Sequence, residues 1–337
     1  MIETKNVSEK HNVAIYPIDK SPQEIALVDF NTGLTTTYKN TAPMSELIVP
    51  KDSDVIILTT SEGLITFNLV SKKFTPWNEV NEWRNSTNGS QNSIERQIST
   101  MTPDHKFLIH VIYKENTTIA AVIEIATGKI ISTKELEFNN QFFTHATMLN
   151  MNKLALTGPH SLNVFDLRNN PYYRDSSQSR METHTRTDNG RALIGNYNKI
   201  TYRFDLVDQT ESQSKTNASE HLAVDSDYVW RVDNDGRLER LRVHDLSIVK
   251  HKSEELQYDP KVYPFKPGLV LGIFLKNDTP IAIYDSHTLN TTFDFYGQFL
   301  GDNIELTSTA ILRDGSRILI EYLINGEQKL EIWDLNQ

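Results

Sequence analysis

Along most of this chain, apolar and polar residues alternate with a period of two, in runs of four to eight residues closed by turn signals. Such runs predict half-buried strands. They fall into groups. The first is Asn12 to Ile18, Glu24 to Phe30 and Leu34 to Tyr38; the second is Glu46 to Val49, Asp54 to Thr59, Leu64 to Val70 and Phe74 to Trp77. The third, Ile98 to Met101, Phe107 to Tyr113, Ile119 to Ile125 and Ile130 to Glu135, repeats the scheme. Asn31-Thr32-Gly33, Ser61-Glu62-Gly63, Asn234-Asp235-Gly236 and Asn325-Gly326 supply the small and left-handed residues that tight turns between strands need. No segment sustains a 3.6-residue apolar period, so the pattern predicts an all-β chain.

The groups are related to one another. Lys329-Leu330-Glu331-Ile332-Trp333-Asp334-Leu335 is a strand ending in an aromatic residue and Asp, and versions of it recur upstream. They are Leu162 to Leu167, Thr201 to Leu206, Leu241 to Leu246 and Ile281 to Asp285, ending in Phe-Asp, Phe-Asp, His-Asp and Tyr-Asp. Taking strand centres at Val28, Phe67, Ile123, Phe165, Phe204, Val243, Ile283 and Ile332, the spacings are 39, 56, 42, 39, 39, 40 and 49 residues, and the widest holds a polar insertion before Ile123. A four-strand unit repeated at this period is the signature of a β-propeller, which manages sheet edges by radial repetition. The expectation is a single domain over residues 1–337 with seven or eight four-stranded blades. Polar insertions are expected at about 79–97, with room for a helical turn, and at 168–190; 208–219 reads as irregular. The final group stops at its third strand, so a segment near the N-terminus is expected to complete it and close the ring.

The Phe-Asp, Tyr-Asp and Trp-Asp strand ends resemble the WD-repeat family of β-propellers in a degenerate form. Only Trp333-Asp334 is literal, and no Gly-His dipeptide opens the repeats. Ala126-Thr127-Gly128-Lys129 is similar to the strand, Thr-Gly-Lys, strand step of quinoprotein-like and lactonase-like propellers. The WD-repeat resemblance implies a toroid with a central channel, used mostly as a rigid platform for proteins or peptides.

Composition narrows the function classes. Without cysteine there are no disulfides, thiolate metal sites or cysteine nucleophiles. A net charge of -10 argues against a binder that gains affinity by neutralising nucleic-acid phosphates. The longest apolar run, Gly268 to Leu275, is far shorter than the ~20 residues of a membrane-spanning helix. Met1 to Lys10 carries both charge signs and no apolar stretch, so a cytoplasmic setting is expected. The Asn, Lys, Ile and Thr content resembles proteins of AT-rich genomes, which adds export from an intracellular bacterium into a host cell as an alternative setting.

Candidate chemistry is scattered. His105, His110, His145, His160, His221, His244, His287 and Glu124 are the residues an axial hydrolase site would draw on, but each stands in a different context and none has metal-ligand spacing. GxSxG, GxGxxG and phosphate-loop motifs are absent. Asp233-Asn234-Asp235-Gly236 opens like a calcium loop but lacks the bidentate Glu twelve residues in, which leaves a hairpin turn. No catalytic residue, metal ligand or cofactor is assigned. Arg240 and Arg242, two apart on a strand, share a face and could receive a carboxylate or phosphate. The two insertions, with the strand end before the first, bring Trp77, Trp83, Tyr172, Tyr173, Arg174 and Arg180, residue types enriched at binding hot spots. The favoured expectation is therefore a non-catalytic scaffold that binds another protein or a peptide on its loop-rich face. The alternatives are a hydrolase or lyase with an axial His and carboxylate site, and a phosphate or lipid-headgroup binder through Arg240 and Arg242.

Overall fold

The computed structural model describes residues 3–4, 6–18, 21–60, 62–86, 96–114, 117–136, 143, 145–158, 161–168, 183–186, 191–197, 199–205, 210–224, 227–233, 235, 237–251, 261–266, 269–273, 281–294, 304–312 and 316–335. The chain divides into two compact units, residues 1–139 with 306–337 and residues 140–305.

The first unit opens with β1 (Glu3–Thr4), then β2 (Asn6–Ser8), β3 (Val13–Ile18), β4 (Ser21–Asp29) and β5 (Thr35–Lys39). Next come β6 (Met44–Ile48), β7 (Val55–Thr60), β8 (Gly63–Asn68) and β9 (Lys73–Pro76), a helix α1 (Asn78–Ser86), and β10 (Arg96–Met101), β11 (Phe107–Lys114), β12 (Thr117–Glu124) and β13 (Lys129–Leu136). The strands pair in sequence as antiparallel sheets β2–β5, β6–β9 and β10–β13.

The second unit holds β14 (His145–Met148), β15 (Lys153–Gly158) and β16 (Ser161–Asp166), followed by β17 (Thr183–Arg186), β18 (Ala192–Tyr197), β19 (Ile200–Asp205) and β20 (Glu211–Val224). β21 (Tyr228–Asp233), β22 (Leu238–Arg242) and β23 (Ile248–His251) continue the same sheet, and β24 (Lys261–Lys266), β25 (Leu269–Ile273), β26 (Ile281–Asp285) and β27 (Thr291–Asp294) form the next. The last sheet belongs to the first unit: β28 (Ile304–Ile311), β29 (Arg317–Ile324) and β30 (Glu327–Asp334), with β1 beside β28.

Two sequence expectations need correction. Residues 208–219 were expected to be irregular, yet Glu211 to Val224 is one strand: its first half pairs with β19 and its second with β21, with a register shift in each ladder. Its Ser, Thr and Asn content reads as loop, but neighbours on both sides satisfy its backbone and override that weak preference. The N-terminal segment does join the C-terminal sheet, but not beside its third strand. Glu3 and Thr4 of β1 pair in parallel with Ser308 and Thr309 of β28, the first strand of that sheet.

The apolar runs on second and third strands are nearly continuous because those strands are covered on both faces. In the first unit Ile15 and Leu27 of one sheet pack on Ile56, Leu58 and Phe67 of the next. Their sequence neighbours Ala14 and Val28 face the other way, onto Ala310 and Leu319 of the last sheet. In the second unit Leu193 and Phe204 meet Ala155 and Val164 on one side, while Ile194 meets Val229 and Leu241 on the other. A period of two with both phases buried is the packing rule of stacked sheets.

The acidic or amide residue at the end of a third strand has a local job. Asp29 Oδ1 accepts the backbone N–H groups of Asn31 and Thr32 (2.7 and 2.9 Å). Asn68 does the same for Val70 and Ser71, and Asp285 for His287 and Thr288. Four residues after each, Gly33, Lys72 and Leu289 take positive φ and return their N–H to the carbonyl of Asp29, Asn68 and Asp285. The residue just past the strand end is tied back as well: Phe30, Leu69, Ile125, Leu167, Val243 and Leu335 donate to the carbonyls of Asn12, Asp54, Lys106, Asn152, Asp227 and Ser316. At Asp29, Asn68 and Asp285 the strand end is thus a turn-capping device that closes the hairpin to the fourth strand.

Candidate functional site

The insertion after β9 is helical where it begins, and α1 is fastened to two sheets. Asn81 grips Leu64 through both ends of its amide: Oδ1 accepts the Leu64 N–H at 2.8 Å and Nδ2 donates to the Leu64 carbonyl at 3.1 Å. Glu79 Oε1 accepts the N–H of Ile130 on β13 at 3.0 Å. Two glycines make these approaches possible. A Cβ on Gly63 would fall 2.1 Å from Asn81 Oδ1, and one on Gly128 would fall 2.6 Å from Trp77 Cδ1. Val80 and Arg84, four apart, turn inward with Trp77, while Asn78, Glu79, Glu82, Asn85 and Ser86 face solvent. Glu79 in the first turn and Arg84 in the last complement the helix dipole.

Trp83 is partly exposed, and its indole meets the imidazole of His110 edge-on with centroids 6.5 Å apart. His110 is fully buried on β11, and its Nδ1 lies 2.9 Å from Ser99 Oγ on β10. Burial, and then the Arg84 guanidinium, push its pKa down to about 3, so the ring is neutral. Its Nε2 makes no hydrogen bond among the described residues. Glu46 on β6 completes the group. Burial pushes its carboxyl up, against the bonds it accepts from Thr59 Oγ1 and the Ser99 backbone N–H.

Ser99, His110 and Glu46 lie together without forming a nucleophilic triad. A base activating serine takes its proton on one imidazole nitrogen while a carboxylate holds the other. Here serine is on Nδ1, no carboxylate bonds to Nε2, and Ser99 is buried. The arrangement places a neutral imidazole beneath Trp83, with the buried Arg84 guanidinium near it.

Of the residues singled out by sequence, Trp77 is buried in the core beside α1 and Trp83 lies above His110. Tyr172, Tyr173, Arg174 and Arg180 lie outside the described residues. Arg240 and Arg242 do not form a paired cationic face. Arg240 is buried, donates to the Ser286 carbonyl at 2.6 Å and stacks 4.6 Å from the Tyr228 ring centroid. A register shift follows it on β22, and Arg242 alone reaches solvent, beside Ser247. Asp233 Oδ1 accepts the N–H groups of Asp235 and Arg237, the capping of a hairpin turn. Among the described residues no three His, Asp or Glu side chains are placed to hold a metal ion. No described helix is long and apolar enough to cross a membrane.

Arg231, which stands in the sequence in a local run of arginines with Arg237, Arg240 and Arg242, is the largest fully buried side chain among the described residues. Its Nε and Nη2 donate to Glu239 Oε2 at 3.0 and 2.8 Å, and Nη1 donates to Thr201 Oγ1 and Ser214 Oγ at 2.7 and 2.9 Å. The signal was available: Arg231 and Glu239 are opposite charges facing each other across the β21–β22 hairpin.

No family model and no curated protein sequence matches the chain. Solved structures do. BamB from Moraxella catarrhalis superposes with a TM-score of 0.60 at 10% identity, covering 100% of this chain and 94% of that one. The dihydro-heme d1 dehydrogenase NirN in complex with DHE gives 0.66 at 10% identity, over 100% of this chain and 73% of NirN. A chain of the mitotic checkpoint complex gives 0.55 at 11% identity, over 83% and 84%. These neighbours are β-propellers, and so is this chain.

Proposed function

We propose that this β-propeller is a non-catalytic scaffold that binds another protein or a peptide over the surface carried by α1, with Trp83 as the principal contact. The observation that carries this reading is the fastening of α1 to both neighbouring sheets through Asn81 and Glu79, which holds a partly exposed indole on a rigid support. A pre-set aromatic side chain loses little freedom on binding, and tryptophan is among the residues that dominate interface energetics. The likeness to a chain of the mitotic checkpoint complex, a propeller found within an assembly, agrees with a scaffold role.

The test is retention of partners from lysate by the wild-type chain and by Trp83→Ala, with both shown to be folded by circular dichroism and unfolding midpoint. A partner held by wild type and lost by the variant supports the scaffold. Identical retention by both removes Trp83 and the α1 surface from the account.

A further inference from the structure

The hairpin of β21 and β22 buries an arginine on each of its faces, and among the described residues only one of them meets a carboxylate. Arg231 spends the Nε–Nη2 edge of its guanidinium on Glu239 Oε2 and its Nη1 on Thr201 and Ser214. Arg240, on the opposite face, is 7% exposed. Its Nη1 donates to the Ser286 carbonyl at 2.6 Å, and the guanidinium lies 4.6 Å from the centroid of the Tyr228 ring. A ring face softens a positive charge without neutralising it. The Nε–H of Arg240 is buried and has no acceptor among the described residues. Asp285, one residue from Ser286, is committed to the N–H groups of His287 and Thr288 in its own turn.

Two neighbours share that face. Trp230 stands directly opposite Arg240 in the β21–β22 ladder. It is 3% exposed, and its indole N–H has no acceptor among the described residues. On the other side, Lys250 stands opposite Arg240 in the β22–β23 ladder; it is exposed and forms no ion pair among the described residues. Like charges directly opposed across a ladder repel, and buried N–H donors without acceptors cost free energy. One anion with two oxygens, seated against the Nε–Nη2 edge, would relieve all of these costs together.

We propose that this face of β21–β23, beside Ser286, binds the carboxylate of a small organic acid. The inference is independent of α1 and of the scaffold reading. The hairpin itself indicates the chemistry, because the same edge of Arg231 holds a carboxylate on the opposite face. One ligand oxygen accepts from Arg240 Nε and Nη2, as Glu239 Oε2 does from Arg231, and the other accepts from the Trp230 indole. Lys250 supplies a second positive charge at the exposed rim. Arg242, beside Ser247, stays outside the site. A guanidinium this deeply buried admits a small acid more readily than a folded chain.

The test uses the full chain with nitrogen-15 in its tryptophan indoles, the Trp230 signal being the one absent from Trp230→Phe. Sodium acetate is titrated at ionic strength held constant with sodium chloride, with inorganic phosphate and the capped tripeptide acetyl-Gly-Glu-Gly-amide as separate arms. A saturable shift of the Trp230 indole N–H by acetate, with a rise in unfolding midpoint over the same range, is expected. Arg240→Lys keeps the charge but loses the paired N–H edge, and should bind acetate roughly tenfold more weakly. Lys250→Glu, a change at an exposed position, puts a carboxylate opposite Arg240. It should raise the unfolding midpoint without ligand and abolish the response to acetate. No acetate-dependent shift at the Trp230 indole, or one that Lys250→Glu leaves unchanged, overturns the proposal. Tighter saturation by phosphate overturns the carboxylate assignment. Equal saturation by the tripeptide overturns the small acid and gives the site to an acidic side chain of a partner.

Discussion

Ser99 Oγ lies 2.9 Å from His110 Nδ1 in a buried site beneath Trp83, where burial and then Arg84 set the state of the ring. The imidazole is held neutral, with its pKa near 3 against an ordinary 6.5. The unfolded chain therefore takes up a proton first as pH falls. Above about pH 6.5 His110 contributes no pH dependence; between there and about pH 3 it lowers stability by up to about 1.4 kcal/mol per pH unit. Urea unfolding at pH 7, 6, 5 and 4 should show a steeper loss for wild type than for His110→Gln. Equal slopes would contradict a buried neutral ring.

Gly128 and Gly326 both sit at positive φ, +69° and +83°, but only the first is crowded. Gly326→Ala should cost roughly 1 kcal/mol, the cost of left-handed backbone for a residue with a Cβ. Gly128→Ala must also displace the Trp77 indole and should cost roughly 2–3 kcal/mol. Chemical denaturation of the two variants decides it, and equal costs would mean that Trp77 is not packed as described.

Arg231 and Glu239 offer a third test. Removing one member leaves an uncompensated charge away from water, so Arg231→Met should destabilise by roughly 3–5 kcal/mol. The double change Arg231→Met, Glu239→Leu should recover most of that loss, because apolar side chains of similar volume replace a buried pair at little cost. Thr201 Oγ1 still donates to Asn196 Oδ1, so those polar groups keep a partner. A double variant no better than the single would show that the pair gives more than mutual neutralisation.

Most of the strands were legible because the period of two persists where both faces are buried, as at Ala14, Ile15, Leu27 and Val28. The third-strand ends were legible too, but their role was not: Asp29 and Asp285 spend their carboxylates on the next turn's backbone. β20 was missed because its pairing comes from strands on both sides rather than from its own composition. Arg240 and Arg242 stand opposite Trp230 and Tyr228 in a regular ladder, as the period of two indicates, but Arg240 is buried on the Ser286 carbonyl and the Tyr228 ring, which the period alone does not reveal. Arg231 stood out in the sequence only as one of a run of arginines, because the role of a buried charge shows only when its cross-strand partner is counted with it. Ser99, His110 and Glu46 come from three strands whose register no local pattern specifies, so their meeting could not be read ahead of the fold.

The central claim is that the α1 surface is where a partner sits. A photo-crosslinking residue placed at Glu82, next to Trp83 and exposed, tests it directly against the same residue placed at exposed Lys250. The scaffold account predicts one discrete adduct from position 82, none from position 250, and loss of the adduct when Trp83 is changed to Ala. An adduct of equal yield from both positions, or one that survives Trp83→Ala, would contradict it.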